Sequence, residues 1–157
     1  MTQRILLLLL GAGTLLALVP RSFGTQIPEP KLWQPGLGEF MQGIQHHHAA
    51  LWFAGLTGNW ELASFELKEI EEGFGDARTY VPVHEGVNVK ELLDTILPPA
   101  TKGLHESIEK GDKKLFGESF KTLTSACNGC HTAAKVPYIE IIEPTGMPTV
   151  NQRYAKK

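Results

Sequence analysis

Four stretches of the chain repeat apolar residues every three or four positions, and this periodicity restricts the fold more than any other feature. The stretches run over about 37–56, 60–74, 88–110 and 113–135. Each is long enough for an amphipathic helix, and no stretch shows the strict alternation of apolar and polar residues that is typical of a half-buried strand. The sequence therefore predicts an all-α fold of four helices, in which the second helix exposes its charged side chains, Glu66 among them.

The connections between these stretches predict how the helices follow one another. Gly58–Asn59 and Gly111–Asp112 each combine a residue that ends helices with one that caps the next helix. The connection over 75–86 is longer and contains a proline. Pro98–Pro99 should kink the third helix or split it in two. Two short connections and one longer one favour an antiparallel four-helix bundle with up-down-up-down topology.

The first 24 residues differ from the rest. Arg4 precedes an apolar run over 5–19, Pro20 breaks the run, and Ser22 to Gly24 supply small residues at the exit. This order is typical of a secretory signal peptide. An uncleaved anchor is the alternative, but fifteen apolar residues are fewer than the roughly 20 that cross a bilayer. We expect cleavage after residue 24 and export to the periplasm.

The mature chain is then divided into three parts. Residues 25–36 form an N-terminal lead, 37–135 the helical bundle, and 136–157 a tail with three prolines that cannot continue the helix. Because the tail is rich in apolar residues, we expect it to fold back over the end of the bundle.

Charge restricts the classes of partner. Cleavage removes Arg4 and Arg21, so that 13 basic side chains face 17 acidic ones, a net charge of −4. Such a surface does not favour nucleic acid, and after cleavage we expect no membrane partner.

Both cysteines of the chain lie in the motif Cys127-Asn128-Gly129-Cys130-His131. The spacing C-x-x-C-H is typical of covalent haem attachment, because thiols one helical turn apart can each form a thioether to one vinyl group of the porphyrin. The histidine that follows can then bind the iron. A redox dithiol and half of a zinc site are the alternatives, but the region is predicted to be helical and no second pair of zinc ligands is present. We therefore expect one covalent haem c, with His131 as an axial iron ligand.

The apolar stripe of the fourth helix carries this motif. Both cysteines fall on that stripe and His131 lies at its margin. The stripe comprises Phe116, Phe120, Leu123, Cys127, Cys130 and Ala134.

A four-helix bundle with C-x-x-C-H on its last helix resembles cytochrome c prime and the other class II c-type cytochromes. The resemblance covers about 37–134, and its one specific motif is Cys127 to His131. The chain departs from the family pattern in the connection 75–86 and in the long tail after Val136. Class I cytochromes carry the motif near the start of the domain, whereas only 26 residues follow His131 here.

The second axial position is predicted from the first helix. Met41 lies on its buried stripe, near the start of the helix, and the resemblance implies that this part of the helix faces the open side of the iron. A methionine ligand raises the reduction potential and suits electron transfer. Met41 could equally be ordinary core packing.

Histidines supply the alternative ligands. Successive residues on a helix are rotated by about 100°, so the run His46 to His48 cannot converge on one metal. His48 is the member on the buried stripe, about 10 Å along the axis from Met41, and is the less favoured candidate. Met147 in the tail is a remote third, and His84 and His105 are predicted to lie at the surface.

These features predict a periplasmic electron carrier with one six-coordinate haem. Its partners would be redox proteins that the sequence does not identify. The sequence also leaves open whether the chain forms a homodimer. The alternative is a five-coordinate module that binds nitric oxide or carbon monoxide. No acid–base pair or substrate domain indicates an enzyme.

Overall fold

The computed structural model describes residues 34–156 and contains the four predicted helices. They are α1 (Leu37–Thr57), α2 (Trp60–Tyr80), α3 (Val89–Lys110) and α4 (Lys113–Ala133). A two-stranded antiparallel hairpin, β1 (Val83–His84) and β2 (Val87–Asn88), lies between α2 and α3. The predicted signal peptide, residues 1–24, lies outside the described residues. Within them, no helix combines the length and apolar character needed to cross a membrane.

The two short connections form as predicted. Gly58 and Gly111 end α1 and α3 with positive φ angles of 72° and 65°, a conformation that glycine adopts without steric cost. The Asn59 side chain accepts the Leu62 N–H at the start of α2. Asp112 accepts two N–H groups at the start of α4, both at 3.0 Å. These caps satisfy donors that a helix cannot satisfy internally.

The predicted connection over 75–86 is wrong in both its length and its content. α2 continues to Tyr80, because Phe74 and Ala77 keep its buried stripe going past the glycines. The remaining residues form the hairpin, which turns at Glu85 and Gly86 with φ angles of 48° and 80°. Positive φ at both turn residues matches the twist of two paired strands.

The prolines do not split α3, which runs unbroken through Pro98 and Pro99. Both prolines are exposed, as are Asp94 and Thr95 one turn earlier. The carbonyls that lose their helical partners therefore belong to the exposed side of α3, where water can bond them.

The helices pack in a closed order, with α1 against α2, α2 against α3, α3 against α4, and α4 against α1. α1 and α4 are antiparallel, because residues that come earlier in α1 contact residues that come later in α4. Gly55 contacts Phe116, whereas His48 contacts Thr124. The polar pairs between α2 and α3 show the same inverse order: Glu71 with His105, and Arg78 with Asp94.

The core lies between all four helices and contains one carboxylate that was predicted to be exposed. Glu66 is only 3% exposed. His47 on α1 reaches it, with Nδ1 2.7 Å from Glu66 Oε2. The prediction is wrong because the hydrogen bond to a neighbouring helix satisfies the carboxylate inside the bundle.

The tail makes contacts with the helices at two points. The Asn128 side chain bonds the main chain of Ile141. Further along, Tyr154 is 3% exposed, its ring lies against Phe53, and its carbonyl accepts from the Asn59 amide at 2.9 Å. The tail is therefore attached to the helices both at residue 141 and at residue 154.

Candidate cofactor site

A cavity of about 380 Å³ lies where the motif of α4 meets the start of α1. Both cysteines, His131, Met41 and His48 line it, together with side chains of α3, the hairpin and the tail. Most of the wall is apolar, and the volume falls in the range of sites for small molecules and cofactors. The structure thus brings the predicted attachment residues, His131 and the two leading candidates for the second ligand, Met41 and His48, to one cavity.

The two thiols are part of the cavity wall and carry no disulfide. Burial, and to a lesser extent the neighbouring Cys130, raises the pKa of Cys127 to about 11. Burial also raises the pKa of Cys130. Redox dithiols and thiolate metal sites depend on lowered thiol pKa values. This environment therefore disfavours the redox-dithiol interpretation of the motif.

His131 is held by a single hydrogen bond that fixes its tautomer. Its Nδ1 lies 2.7 Å from the Ile139 carbonyl oxygen. A carbonyl can only accept, so Nδ1 carries the proton and Nε2 carries the free lone pair of the neutral ring. Metal-binding histidines usually show this arrangement, in which the nitrogen that does not bind the metal donates to a carbonyl or carboxylate.

The end of α4 directs the chain back toward His131. Lys135 adopts a positive φ of 64°, its N–H bonds the Thr132 carbonyl, and the Val136 N–H bonds the His131 carbonyl. This pair of bonds is the Schellman pattern of helix termination. α4 therefore ends at Ala133, two residues before the predicted end at residue 135.

Asn128, the first residue between the cysteines, fastens the returning chain. Its Nδ2 donates to the Ile141 carbonyl and its Oδ1 accepts from the Ile141 N–H, both at 2.8 Å. The side-chain amide thus satisfies both main-chain groups of one residue, as a neighbouring β-strand would. The sequence carried no signal for this role, because it depends on where the tail passes.

Met41 and His48 both lie on the cavity wall, but their environments differ. His48 is 4% exposed, and its Nε2 lies 2.9 Å from Thr124 Oγ1. The Thr124 hydroxyl donates its one proton to the Phe120 carbonyl, so His48 must donate to Thr124 through Nε2–H. The Nε2 atom of His48 is consequently engaged in a hydrogen bond within the protein and has no free lone pair for a metal. The Met41 thioether is only a weak hydrogen-bond acceptor, so no hydrogen bond competes with metal binding by its sulfur.

The remaining predicted residues are more peripheral. His46 is exposed, as predicted from the helical rotation. His84 is exposed too, but unlike His105 it also lines the cavity, from the hairpin. Met147 is 57% exposed and does not contribute to the wall.

Among residues 34–156, no cluster of three or more histidine, cysteine or acidic side chains is arranged to hold a metal ion. Comparison of the chain with models of protein families, with curated proteins and with solved structures found no match.

Proposed function

We propose that this chain is an exported mono-haem c-type cytochrome that transfers electrons in the periplasm. Cys127 and Cys130 would hold the haem through thioethers, and His131 would bind the iron. Met41 would be the second axial ligand. The observation that carries the proposal is that these four residues line one apolar cavity, with His131 prepared to offer Nε2 to a metal.

The residues fit haem in three separate respects. The cavity wall is apolar, as a porphyrin requires. The two thiols are half-buried, and burial raises the pKa of each, which makes them unsuited to redox or metal chemistry of their own. The tautomer of His131 places the lone pair on the nitrogen opposite its hydrogen bond.

Haem would supply a one-electron iron couple in a low-dielectric setting. The cysteines would hold the haem in position, Met41 and His131 would bind its iron, and the apolar wall would limit access of water to the site.

Covalent attachment is the first test. The full chain is co-expressed with a cytochrome maturation system and its mass is measured after acid–acetone extraction. We expect the mass of a chain cleaved near Thr25 and carrying one haem. A double variant, Cys127→Ala with Cys130→Ala, should lose the haem, and an unmodified wild-type mass contradicts the proposal.

Absorption spectra of the oxidised and reduced protein test the ligands. Met41 ligation predicts a low-spin ferric spectrum with the weak far-red band of iron–methionine bonding. Met41→Ala should abolish that band, lower the reduction potential and open the iron to carbon monoxide. A low-spin spectrum without the band would instead favour His48 or His84, the other two imidazoles on the wall.

A second cavity gives a reason to keep gas binding as the alternative function. It measures about 230 Å³, lies under the tail, and shares Gln45, His48 and Ile141 with the main cavity. These shared residues place further space, large enough for a small molecule, next to the main cavity. A high-spin wild-type protein that binds carbon monoxide readily would favour the gas-binding function over electron transfer.

A further inference from the structure

We propose that Asn128 is a positioning residue for the iron ligand. By fixing the tail, its side chain holds the Ile139 carbonyl where it accepts the Nδ1 proton of His131. This inference rests on the proposed function, because it concerns the histidine that would bind haem iron.

The connection between Asn128 and His131 passes through the tail. Asn128 fixes both main-chain groups of Ile141. Only Glu140 separates Ile141 from Ile139, whose carbonyl accepts from His131. Two residues of the motif thus bond two nearly adjacent residues of the tail, and an anchor at 141 restricts where the carbonyl at 139 can lie.

Little else holds this part of the tail. The side chains of Tyr138, Ile139 and Glu140 are exposed, so packing does not fix them. A turn in which the Ile139 N–H bonds the Val136 carbonyl gives the segment its local shape. The turn is attached to α4 at its start, where the Val136 N–H bonds the His131 carbonyl. Asn128 supplies the attachment beyond the turn, at Ile141.

The bond to Ile139 has two consequences for His131. It fixes the orientation of the ring, and it increases the basicity of the nitrogen that would face the metal. A more basic imidazole stabilises ferric iron relative to ferrous iron and so keeps the reduction potential low. Loss of the Asn128 bonds would free the carbonyl, weaken the hydrogen bond and raise the reduction potential.

The test compares Asn128→Leu with a matched control in the haem-loaded protein. Leucine is close to asparagine in size and removes both bonds to Ile141. The control, Thr132→Val, changes an exposed hydroxyl that bonds only a carbonyl of its own helix. In Asn128→Leu we expect a raised reduction potential, with about tenfold faster solvent exchange of the Ile141 amide proton and the His131 Nδ1 proton in the reduced protein. Thr132→Val should leave all three quantities unchanged.

A second variant covers the case in which Asn128→Leu fails to mature. Ile141→Pro removes the N–H that Asn128 accepts and leaves residues 127–131 intact. It should raise the potential and speed exchange of the His131 Nδ1 proton in the same way. Covalent haem with unchanged potential and exchange in either variant overturns the positioning role alone. A wild-type protein without covalent haem overturns the proposed function as well.

Discussion

At the scale of single residues, His48 shows how the fold selects a protonation state. It is 4% exposed and its ring lies 4.4 Å, between centroids, from that of Phe120. Burial lowers its pKa from 6.5 to about 4. At pH values between these two pKa values, His48 binds a proton in the unfolded chain but not in the folded chain. The folded state therefore loses stability as the pH falls from 6.5 towards 4, and this loss is absent above pH 6.5.

We expect this loss to amount to about 3 kcal/mol between pH 7 and pH 4. Denaturant unfolding at several pH values measures it, with His48→Gln as the reference that lacks the titrating ring and can still bond Thr124. Other groups titrate in both proteins, so the difference between the two profiles isolates His48. Parallel profiles for the two proteins would show that His48 does not oppose protonation in this way.

The residue scale also shows where prediction from sequence succeeds. Cys127, Cys130 and His131 are adjacent in the chain, so helix geometry alone brings them together. Glu66 was wrongly predicted to be exposed, because helical periodicity assigns every glutamate to the solvent-facing side of its helix. It gives no information about His47, whose side chain bonds Glu66 from another helix. Asn128 has a role only through the path of the tail, which no local pattern encodes.

At the scale of elements, the close approach of α1 to α4 depends on Gly55. A Cβ atom built on Gly55 would lie 2.1 Å from Phe116, whose side chain is 1% exposed and cannot move aside freely. The two helices can therefore meet at this distance only without a side chain on α1.

Gly55→Ala should destabilise the protein by at least about 1–3 kcal/mol through this overpacking. Gly43→Ala is the matched control, since it lies on the same helix with nothing within 4 Å of the new Cβ. It should be neutral or stabilising by up to about 1 kcal/mol, because alanine favours helix. Thermal or denaturant unfolding distinguishes the two, and equal effects would contradict the role of Gly55.

Two asparagines that cap helices provide a second comparison. Asn88 caps α3 and is exposed, so Asn88→Ala should cost about 1 kcal/mol. Asn59 caps α2 and also donates to the carbonyl of buried Tyr154. Asn59→Ala should cost about twice as much, because the Tyr154 carbonyl also loses one of its two side-chain donors, the other being the Thr57 hydroxyl.

Limited proteolysis supplies the second readout for this pair. Asn59→Ala should make the C-terminal segment easier to cleave, and Asn88→Ala should not. Equal protease sensitivity of the two variants would mean that Asn59 does not hold the tail.

Element lengths were harder to predict than element number. The four stripes and both glycine–cap connections were found correctly. α2 was ended at Phe74 because glycines follow it, whereas burial of Ala77 outweighs their weak helix preference. Of the two outcomes predicted at Pro98–Pro99, a kink or a split, the split is absent, because the unpaired carbonyls lie on the exposed side. Local preferences thus fix where helices begin more reliably than where they end.

At the scale of the whole molecule, the cavity leads us to expect that the fold depends on the proposed cofactor. Without a cofactor, the apolar side chains around the 380 Å³ cavity lack packing partners, and poorly filled apolar space lowers stability. A domain of this size has about 5–15 kcal/mol of stability in total. The haem-free chain should therefore keep little of it.

We expect the haem-free protein to retain helical circular dichroism and to lose most of its near-ultraviolet signal and its cooperative unfolding. The Cys127→Ala, Cys130→Ala double variant, prepared without haem, permits this measurement beside the wild-type holoprotein. Cooperative unfolding of the haem-free chain at the midpoint of the holoprotein would show that the cavity is not filled by a cofactor of this size.

The tail is fastened through main-chain atoms, and this determines which changes it could tolerate during evolution. Its bonds reach the carbonyls of Ile139, Ile141 and Tyr154 and the N–H of Ile141. Most substitutions preserve these groups, so the exposed side chains of the tail are free to diverge. The spacing is restricted, since Ile139 must follow His131 by eight positions and Ile141 must follow Asn128 by thirteen. A single deletion between His131 and Ile139 would shift both partners out of register, so length should be preserved here where sequence is not.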